Sequence, residues 1–255
     1  MTIGSIEGKI VGETMGGNLT LTGLKGELKI STKGGNISLT DSDIDGKAST
    51  MGGNITIRSV AGNMDVSTMG GNVILDNLVQ RGGHSIDKVV EVSTMGGNID
   101  VANAPRGAKV ETQGGNIVIK KSAELIDAKT MGGNIAVNEH SGRINAHTMG
   151  GNVSAAIIPG SADQSVDIGS MGGRIELTLP SEYSGAFDLE LAYTRKASGK
   201  YQIISDFPIQ KSETPEWDSS RGDARKYITG TGTIGSGANK AKVRTVNGDI
   251  VIKKR

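Results

Sequence analysis

The chain has 255 residues, of which 39 are glycine and none is cysteine, and its formal net charge is +1. The lack of cysteine excludes disulfide bonds and thiolate metal sites. The near-balance of charge, together with only 3% aromatic residues, argues against nucleic-acid binding, and no apolar stretch is long enough to form a transmembrane helix.

From residue 14 onward, a six-residue phrase, T-x-G-G-N-[ILV], recurs eight times, and within two runs its copies are 18 residues apart. A fixed period of this length predicts one small supersecondary unit that stacks on copies of itself. Two degenerate copies follow, at Ser170 (SMGGRI) and at Thr245 (TVNGDI). The complete copies begin at Thr14, Thr32, Thr50, Thr68, Thr94, Thr112, Thr130 and Thr148.

Each repeat contains two short segments in which apolar and polar residues alternate. In one, the apolar residues stand two and four positions before the threonine, as Ile30 and Leu28 do before Thr32. In the other they stand five and seven positions after it, as Ile37 and Leu39 do. This alternation predicts strands with one buried face. We therefore predict an all-β fold, a parallel β-solenoid (β-helix) with 18-residue coils, a narrow aliphatic core and a less regular C-terminal cap.

The repeated letters predict the chemistry of the Gly-Gly-Asn corner. Glycine adopts positive φ where the chain reverses, and the absence of side chains lets the corners of adjacent coils nest. We expect the threonine to point inward and its hydroxyl to bond the Gly-Gly backbone. The asparagines are expected to form a ladder of stacked side-chain amides. A second corner carries an apolar residue ten positions after the threonine, often with a glycine two positions later.

The regular repeat ends near Pro180. We predict solenoid repeats over residues 1–180 and a C-terminal β region over 181–255 that closes the solenoid and is continuous with it as one structural domain. Residues 187–193 and 227–234 are expected to form strands, and 211–225 a polar loop. Residues 241–255 return to the coil pattern.

Residues 3–8 align with residues 21–26 of the next repeat, so the sequence opens halfway through a coil, without a signal peptide. We expect the encoded protein to include an upstream segment with an export signal. Localisation in the periplasm or at the cell surface is the resulting expectation, and the cytoplasm is the alternative.

The methionines that directly follow the threonines form the methionine column, which alternation places on the outside. Lys33 and Gln113 occupy the same column and support exposure. Two interpretations are open: an adaptable apolar ridge that contacts a partner, or stacked side chains that shield the corner. The methionine column consists of Met15, Met51, Met69, Met95, Met131, Met149 and Met171.

A second candidate surface is the longest interruption of the period, around Asp76–Lys88. It contains Arg81, His84 and Asp87, which are candidate carbohydrate-contacting residues or ordinary solvated side chains. No nucleotide, metal or nucleophile motif accompanies them, so the sequence predicts no catalytic residues, no cofactor and no metal.

The repeats, ending in T245-V-N-G-D-I-V-I, resemble a bacterial adhesin β-strand-repeat family, a domain of unknown function. The resemblance covers essentially the whole chain and implies an exported or envelope-associated bacterial protein with a β-solenoid fold. It supplies no catalytic residues.

The leading hypothesis is a non-enzymatic, adhesin-like or structural protein that presents a binding or spacer surface to an unknown protein or glycan at the cell surface. The alternative is a self-assembling scaffold resembling the bactofilins, joined through the solenoid ends. A weaker alternative is a carbohydrate-binding or carbohydrate-active β-helix that uses the Asp76–Lys88 interruption.

Overall fold

The computed structural model describes residues 1–78, 87–220 and 222–255. These residues contain no α-helix, and stacked coils of about 18 residues form a parallel β-solenoid, which confirms the predicted fold class. The chain divides into two compact units, Met1–Thr130 and Met131–Arg255. None of the described segments forms a helix with the length and hydropathy needed to cross a membrane.

The first unit consists of two parallel sheets, and each coil contributes a strand segment to both. Adjacent strands pair in register at repeat spacing, so that Thr14 lies opposite Thr32 and Thr32 opposite Thr50. The strands are β1 (Thr2–Gly4), β2 (Glu7–Thr14), β3 (Leu19–Thr22), β4 (Lys25–Thr32), β5 (Ile37–Thr50), β6 (Ile55–Ala61), β7 (Met64–Thr68), β8 (Val73–Leu78), β9 (Val90–Ser93), β10 (Ile99–Ala104), β11 (Ala108–Thr112) and β12 (Ile117–Thr130).

The aliphatic columns predicted to be buried form the core between these sheets. Leu28, Ile30, Ile37 and Leu39 are almost completely shielded from solvent, as are Ala48, Ile55 and Ile57 of the next coil. Alternation sends the intervening side chains outward, which is the pattern expected for strands with one buried face.

The threonine hydroxyl bonds the Gly-Gly backbone, as predicted, and it also joins neighbouring coils. Thr50 Oγ1 donates to the Gly35 carbonyl of the preceding coil at 2.8 Å and accepts from the Gly53 N–H of its own corner at 3.2 Å. Thr68 repeats both bonds with Gly53 and Gly71. Because each hydroxyl is buried and spans two coils, the threonine is a structural residue.

The predicted reason for the Gly-Gly pair was only half right. Neither glycine of this corner has φ in the left-handed region; the second is required by close approach between coils. A Cβ on Gly53 would lie 1.9 Å from the Gly35 carbonyl oxygen, whereas a Cβ on Gly52 would find its nearest neighbour at 3.8 Å. Positive φ occurs at the second corner, with φ of 116° at Gly26 and 115° at Gly62.

The asparagine ladder exists in a different form from the stacked amides that were expected. The Asn36 backbone N–H donates to Asn18 Oδ1 at 2.8 Å, and Asn54 N–H donates to Asn36 Oδ1 at 2.7 Å. The side-chain oxygen therefore satisfies a backbone donor that the corner geometry leaves outside the sheet ladder.

The second unit continues the same coil pattern and ends in the cap. Its strands are β13 (Ile135–Thr148), β14 (Val153–Ile157), β15 (Val166–Ser170), β16 (Ile175–Leu179), β17 (Gly185–Thr194), β18 (Ile203–Ser205), β19 (Gln210–Glu213), β20 (Arg225–Ile234), β21 (Asn239–Val246) and β22 (Ile250–Lys254), with a 3-10 helix at Arg195–Ala197.

The last coil in sequence is not the last coil in space. Strand β21 pairs in parallel with β15 on one side and with β17 on the other, and β22 lies in the same way between β16 and β18. Strand β20 then pairs antiparallel to β17, and β19 antiparallel to β20. The cap therefore changes from parallel to antiparallel pairing, and its edge strand β19 is fully exposed and polar.

Large aromatic side chains are buried in the cap. Tyr183, Phe187 and Phe207 are buried, with ring centroids 5.9 Å apart for the first pair and 5.4 Å for the second. The strands predicted at 187–193 and 227–234 lie within β17 and β20. The predicted polar loop at 211–225 instead begins in β19.

Candidate functional site

The methionine column lies on the surface. Met51, Met69 and Met95 of the first unit are each about half exposed, at 50%, 49% and 46%. Met131 and Met149 of the second unit are equally exposed, at 49% and 53%. The prediction that alternation places these side chains outside is confirmed.

In the first unit, the backbone stacks these methionines directly over one another. Met69 N–H donates to the Met51 carbonyl at 3.2 Å, and Met95 N–H donates to the Met69 carbonyl at 3.2 Å. Neighbouring strands in a sheet are about 4.8 Å apart, so successive methionines are adjacent along the surface. The methionines are therefore both exposed to solvent and stacked on one another, so the arrangement has the features of both interpretations, the apolar ridge and the stacked side chains.

A shallow depression of about 310 Å³ runs beside this part of the methionine column. Its apolar lining is Met69 and Met95, and its polar lining includes hydroxyl groups and the side chains of Glu111 and Gln113. The serines of the lining are outward-facing, because each lies one residue before an inward threonine. The remaining lining residues are Thr50, Ser67, Thr68, Ser93 and Thr94.

Of the three candidate residues in the Asp76–Lys88 interruption, the structure describes only Asp87. Arg81 and His84 lie outside the described residues. Asp87 is exposed, and its backbone N–H donates to Asn63 Oδ1 at 3.3 Å, as that of Lys88 does at 3.0 Å. A depression of about 570 Å³ adjoins this point, lined by Asp45, Gly46, Asn63, Met64, Asp65, Lys88, Val89 and Glu91.

Two histidines occupy structurally different positions in the second unit. His140 is fully buried at the second corner, where Nε2 lies 2.9 Å from the Arg143 carbonyl. His147 is exposed on the strand face, 3.7 Å from Asp167. Across residues 1–78, 87–220 and 222–255, no three His, Cys, Asp or Glu side chains are grouped so that they could hold a metal ion.

Shifted pKa values occur where side chains stabilise the second unit. Hydrogen bonds from the Ser165 hydroxyl and N–H hold the pKa of Asp163 below its ordinary value. A hydrogen bond of 2.6 Å from Lys253 lowers the pKa of Glu176, and burial raises the pKa of Tyr183 far above its ordinary value. The Asp163 contact spans one turn and the Glu176 contact joins β16 to β22, so these shifts accompany structural contacts.

A cluster around Trp217, the only tryptophan of the sequence, is not predicted by the repeat pattern. Arg195 Cζ lies 5.1 Å from the Trp217 ring centroid and Lys226 Nζ lies 5.5 Å from it, both at cation–π distance. Tyr193 meets the same ring edge-on at 5.7 Å and donates a hydrogen bond to Glu213. Basic residues on both sides of a lone tryptophan were the available signal, but their pairing depends on the fold of the cap.

Comparisons of this chain with protein-family models, with curated proteins and with solved structures gave no significant match.

Proposed function

We propose that this chain is a non-enzymatic, adhesin-like structural solenoid that presents a binding or spacer surface to a protein or glycan, in the periplasm or on the surface of a bacterial cell. The observation that carries the proposal is the half-exposed methionine column, because it places apolar side chains at regular intervals on a solvent-facing corner. The fold itself does not define a function, so the argument rests on this surface.

The division between inward and outward residues supports the proposal. In the repeats from Thr32 to Thr148, the threonine and the second glycine are buried in coil-to-coil contacts and are unavailable to a partner. The outward charges differ from coil to coil, and several pair along the coils, as Lys47 does with Asp65 at 3.0 Å and Lys109 with Glu91 at 3.6 Å. Exposed ion pairs of this kind add little to the stability of the fold. Their main effect is on the polarity of the surface.

Cell fractionation and protease digestion in the native bacterium test where the protein acts. The encoded protein, tagged at its C-terminus, should be recovered in the envelope fraction. Added protease should digest it in intact cells if it lies on the cell surface, and in spheroplasts if it lies in the periplasm. Recovery only in the cytosol, protected from protease in both preparations, would refute the proposed location.

A binding screen tests the surface itself. The purified chain should bind a subset of arrayed glycans or envelope proteins, and the triple substitution Met51→Gln, Met69→Gln and Met95→Gln should weaken that binding at least tenfold. Met15→Gln is the matched control, because Met15 is exposed but its neighbour in the methionine column is Lys33. Equal binding by the triple variant and the wild type would refute a role for the methionine column.

The scaffold alternative depends on coil edges that accept another solenoid. At the cap, the exposed strand β19 carries Gln210, Lys211, Ser212 and Glu213, and polar edge strands with lysine oppose further pairing. Strand β2, by contrast, exposes Val11 beside its pairing with β4. Scaffold assembly therefore predicts concentration-dependent association that Val11→Lys abolishes, whereas a strict monomer at high concentration contradicts it.

A further inference from the structure

The methionine column contains two uninterrupted runs of three thioethers. Met51, Met69 and Met95 occupy consecutive coils of the first unit, and the column positions that precede and follow them in sequence are Lys33 and Gln113. Met131, Met149 and Met171 form the corresponding run of the second unit. Runs of this kind concentrate one ligand atom type, neutral sulfur, at one place on the surface.

The backbone places the side chains of Met51, Met69 and Met95 next to one another along the surface. The backbone bonds from Met69 to Met51 and from Met95 to Met69 fix the three Cα atoms in register on strands about 4.8 Å apart. Each side chain is about half exposed, and methionine has three rotatable bonds with which to direct its sulfur. Three flexible thioethers on a rigid support can therefore converge without movement of the backbone.

The surroundings fit a cation of low charge. Met69 and Met95 line the depression of about 310 Å³, which also contains the Glu111 side chain and several hydroxyl groups. Glu111 lies opposite Ser93 in the strand register, so its carboxylate is one coil away from the Met95 end of the run. A carboxylate at that position offsets the charge of a monovalent ion. Glu111 is the single carboxylate among the described residues of the lining, whereas hard divalent cations are usually held by several carboxylate oxygens.

We propose that Met51, Met69 and Met95 form a thioether site for a soft monovalent metal ion of the Cu(I) class. Thioether sulfur is a soft ligand that selects such ions over Mg²⁺, Ca²⁺ and Mn²⁺, which prefer oxygen. The run of Met131, Met149 and Met171 supplies a second site of the same type. Its backbone places Met171 beside the preceding coil, where Met171 N–H donates to the Thr148 carbonyl at 3.2 Å.

A titration with Ag⁺, an air-stable ion of the same class, tests this assignment. The full chain, labelled with methyl-¹³C methionine, is titrated with silver nitrate in chloride-free buffer, and the nine methionine methyl signals are followed. The six methyls of the two runs are expected to shift together and to saturate at about two ions per chain. Met15 is exposed but isolated and Met64 is buried, so neither signal should follow the same curve.

Conservative variants separate thioether binding from apolar contact. Met69→Leu keeps the volume and the apolar surface but removes the sulfur, and it should weaken Ag⁺ binding at the first run at least tenfold. Met51→Leu with Met95→Leu should do the same, whereas Met15→Leu should leave both sites unchanged. Circular dichroism of each variant should match that of the wild type, which serves as the control for folding.

The proposal is overturned if all nine methyl signals respond alike, if saturation requires the same silver concentration as free methionine, or if Met69→Leu binds as the wild type does. These results concern only the sulfur atoms. The variant Met69→Leu retains an apolar ridge, so loss of silver binding with retention of a protein or glycan ligand would distinguish this site from the proposed adhesive surface.

Discussion

The two glycines of one Gly-Gly-Asn corner should respond in opposite ways to the same substitution. In Gly53→Ala, the new Cβ would stand 1.9 Å from the Gly35 oxygen, 2.4 Å from the Gly35 carbonyl carbon and 2.8 Å from the Asn36 nitrogen. All three are backbone atoms, which cannot rotate away, so the two coils must separate. In Gly52→Ala, the nearest atom is the Lys33 oxygen at 3.8 Å, an ordinary contact.

The loss of stability in Gly53→Ala depends on the contacts that are disrupted when the two coils separate. Overpacking usually costs about 1–3 kcal/mol, and obstruction by backbone puts Gly53→Ala at about 3 kcal/mol or more. Moving the coils also lengthens the hydrogen bond from Thr50 to the Gly35 carbonyl, now 2.8 Å. Gly52→Ala removes flexibility from the unfolded chain without a clash, and should leave stability unchanged or raise it by about 0.5 kcal/mol.

Urea unfolding of the full chain, followed by far-UV circular dichroism, measures the difference. Gly53→Ala should lower the midpoint of the transition that reports the first unit by about 1 M or more, and Gly52→Ala should leave it in place or raise it slightly. Equal midpoints for the two variants would refute the close-approach explanation, because they would show that both glycines are required for the same reason or that neither is.

Three further outcomes are expected in the same assay. Thr68→Val should cost about 2–4 kcal/mol because two buried backbone groups lose their hydroxyl partner, whereas Thr68→Ser, the residue type at position 170, should cost about 1 kcal/mol. Tyr183 has a raised pKa, so its contribution is complete below about pH 10 and is lost above it; Tyr183→Phe should reduce the alkaline loss of stability. Glu176 has a lowered pKa, so the stabilisation from Lys253 is present above about pH 4.5 and is lost as the pH falls; the difference between wild type and Glu176→Gln should shrink progressively below about pH 4.5. A pH-independent difference for either substitution would contradict its assignment.

The period of the sequence was sufficient to predict the coil, its buried columns and the direction of the threonine. These follow from alternation and from register, which are local and repeat identically. The role of the second glycine was harder to predict, because the clash at Gly53 is with Gly35 of another coil. A residue's own backbone preference carries no information about such a contact.

The arrangement of the cap could not be predicted from the repeat. Residues 241–255 have the coil pattern, but that pattern is the same whether the coil is terminal or lies between two others. In the folded chain β21 lies between β15 and β17, and this position depends on the strand pairings of the cap. The Trp217 cluster depends on the same arrangement, since Arg195 reaches the ring from the 3-10 helix and Lys226 reaches it from β20.

The surface was predicted better than its chemistry. Alternation placed the methionine column outside, and the exposure of Met51, Met69 and Met95 agrees with it. The sequence also drew attention to Asp87, which the structure places beside Asn63, while Arg81 and His84 lie outside the described residues. The depression beside Met69 and Met95 involves side chains from several coils, so it became visible only in the folded chain.

The central claim is that the methionine column is a surface available to a partner, whereas the threonine and the second glycine hold the coils together. The most direct test is the urea midpoint of the triple variant Met51→Gln, Met69→Gln and Met95→Gln. Exposed substitutions usually change stability by no more than about 0.5 kcal/mol each, so the midpoint should remain close to that of the wild type. A loss as large as that of Gly53→Ala would show that the methionines hold the coils together, and would contradict the account.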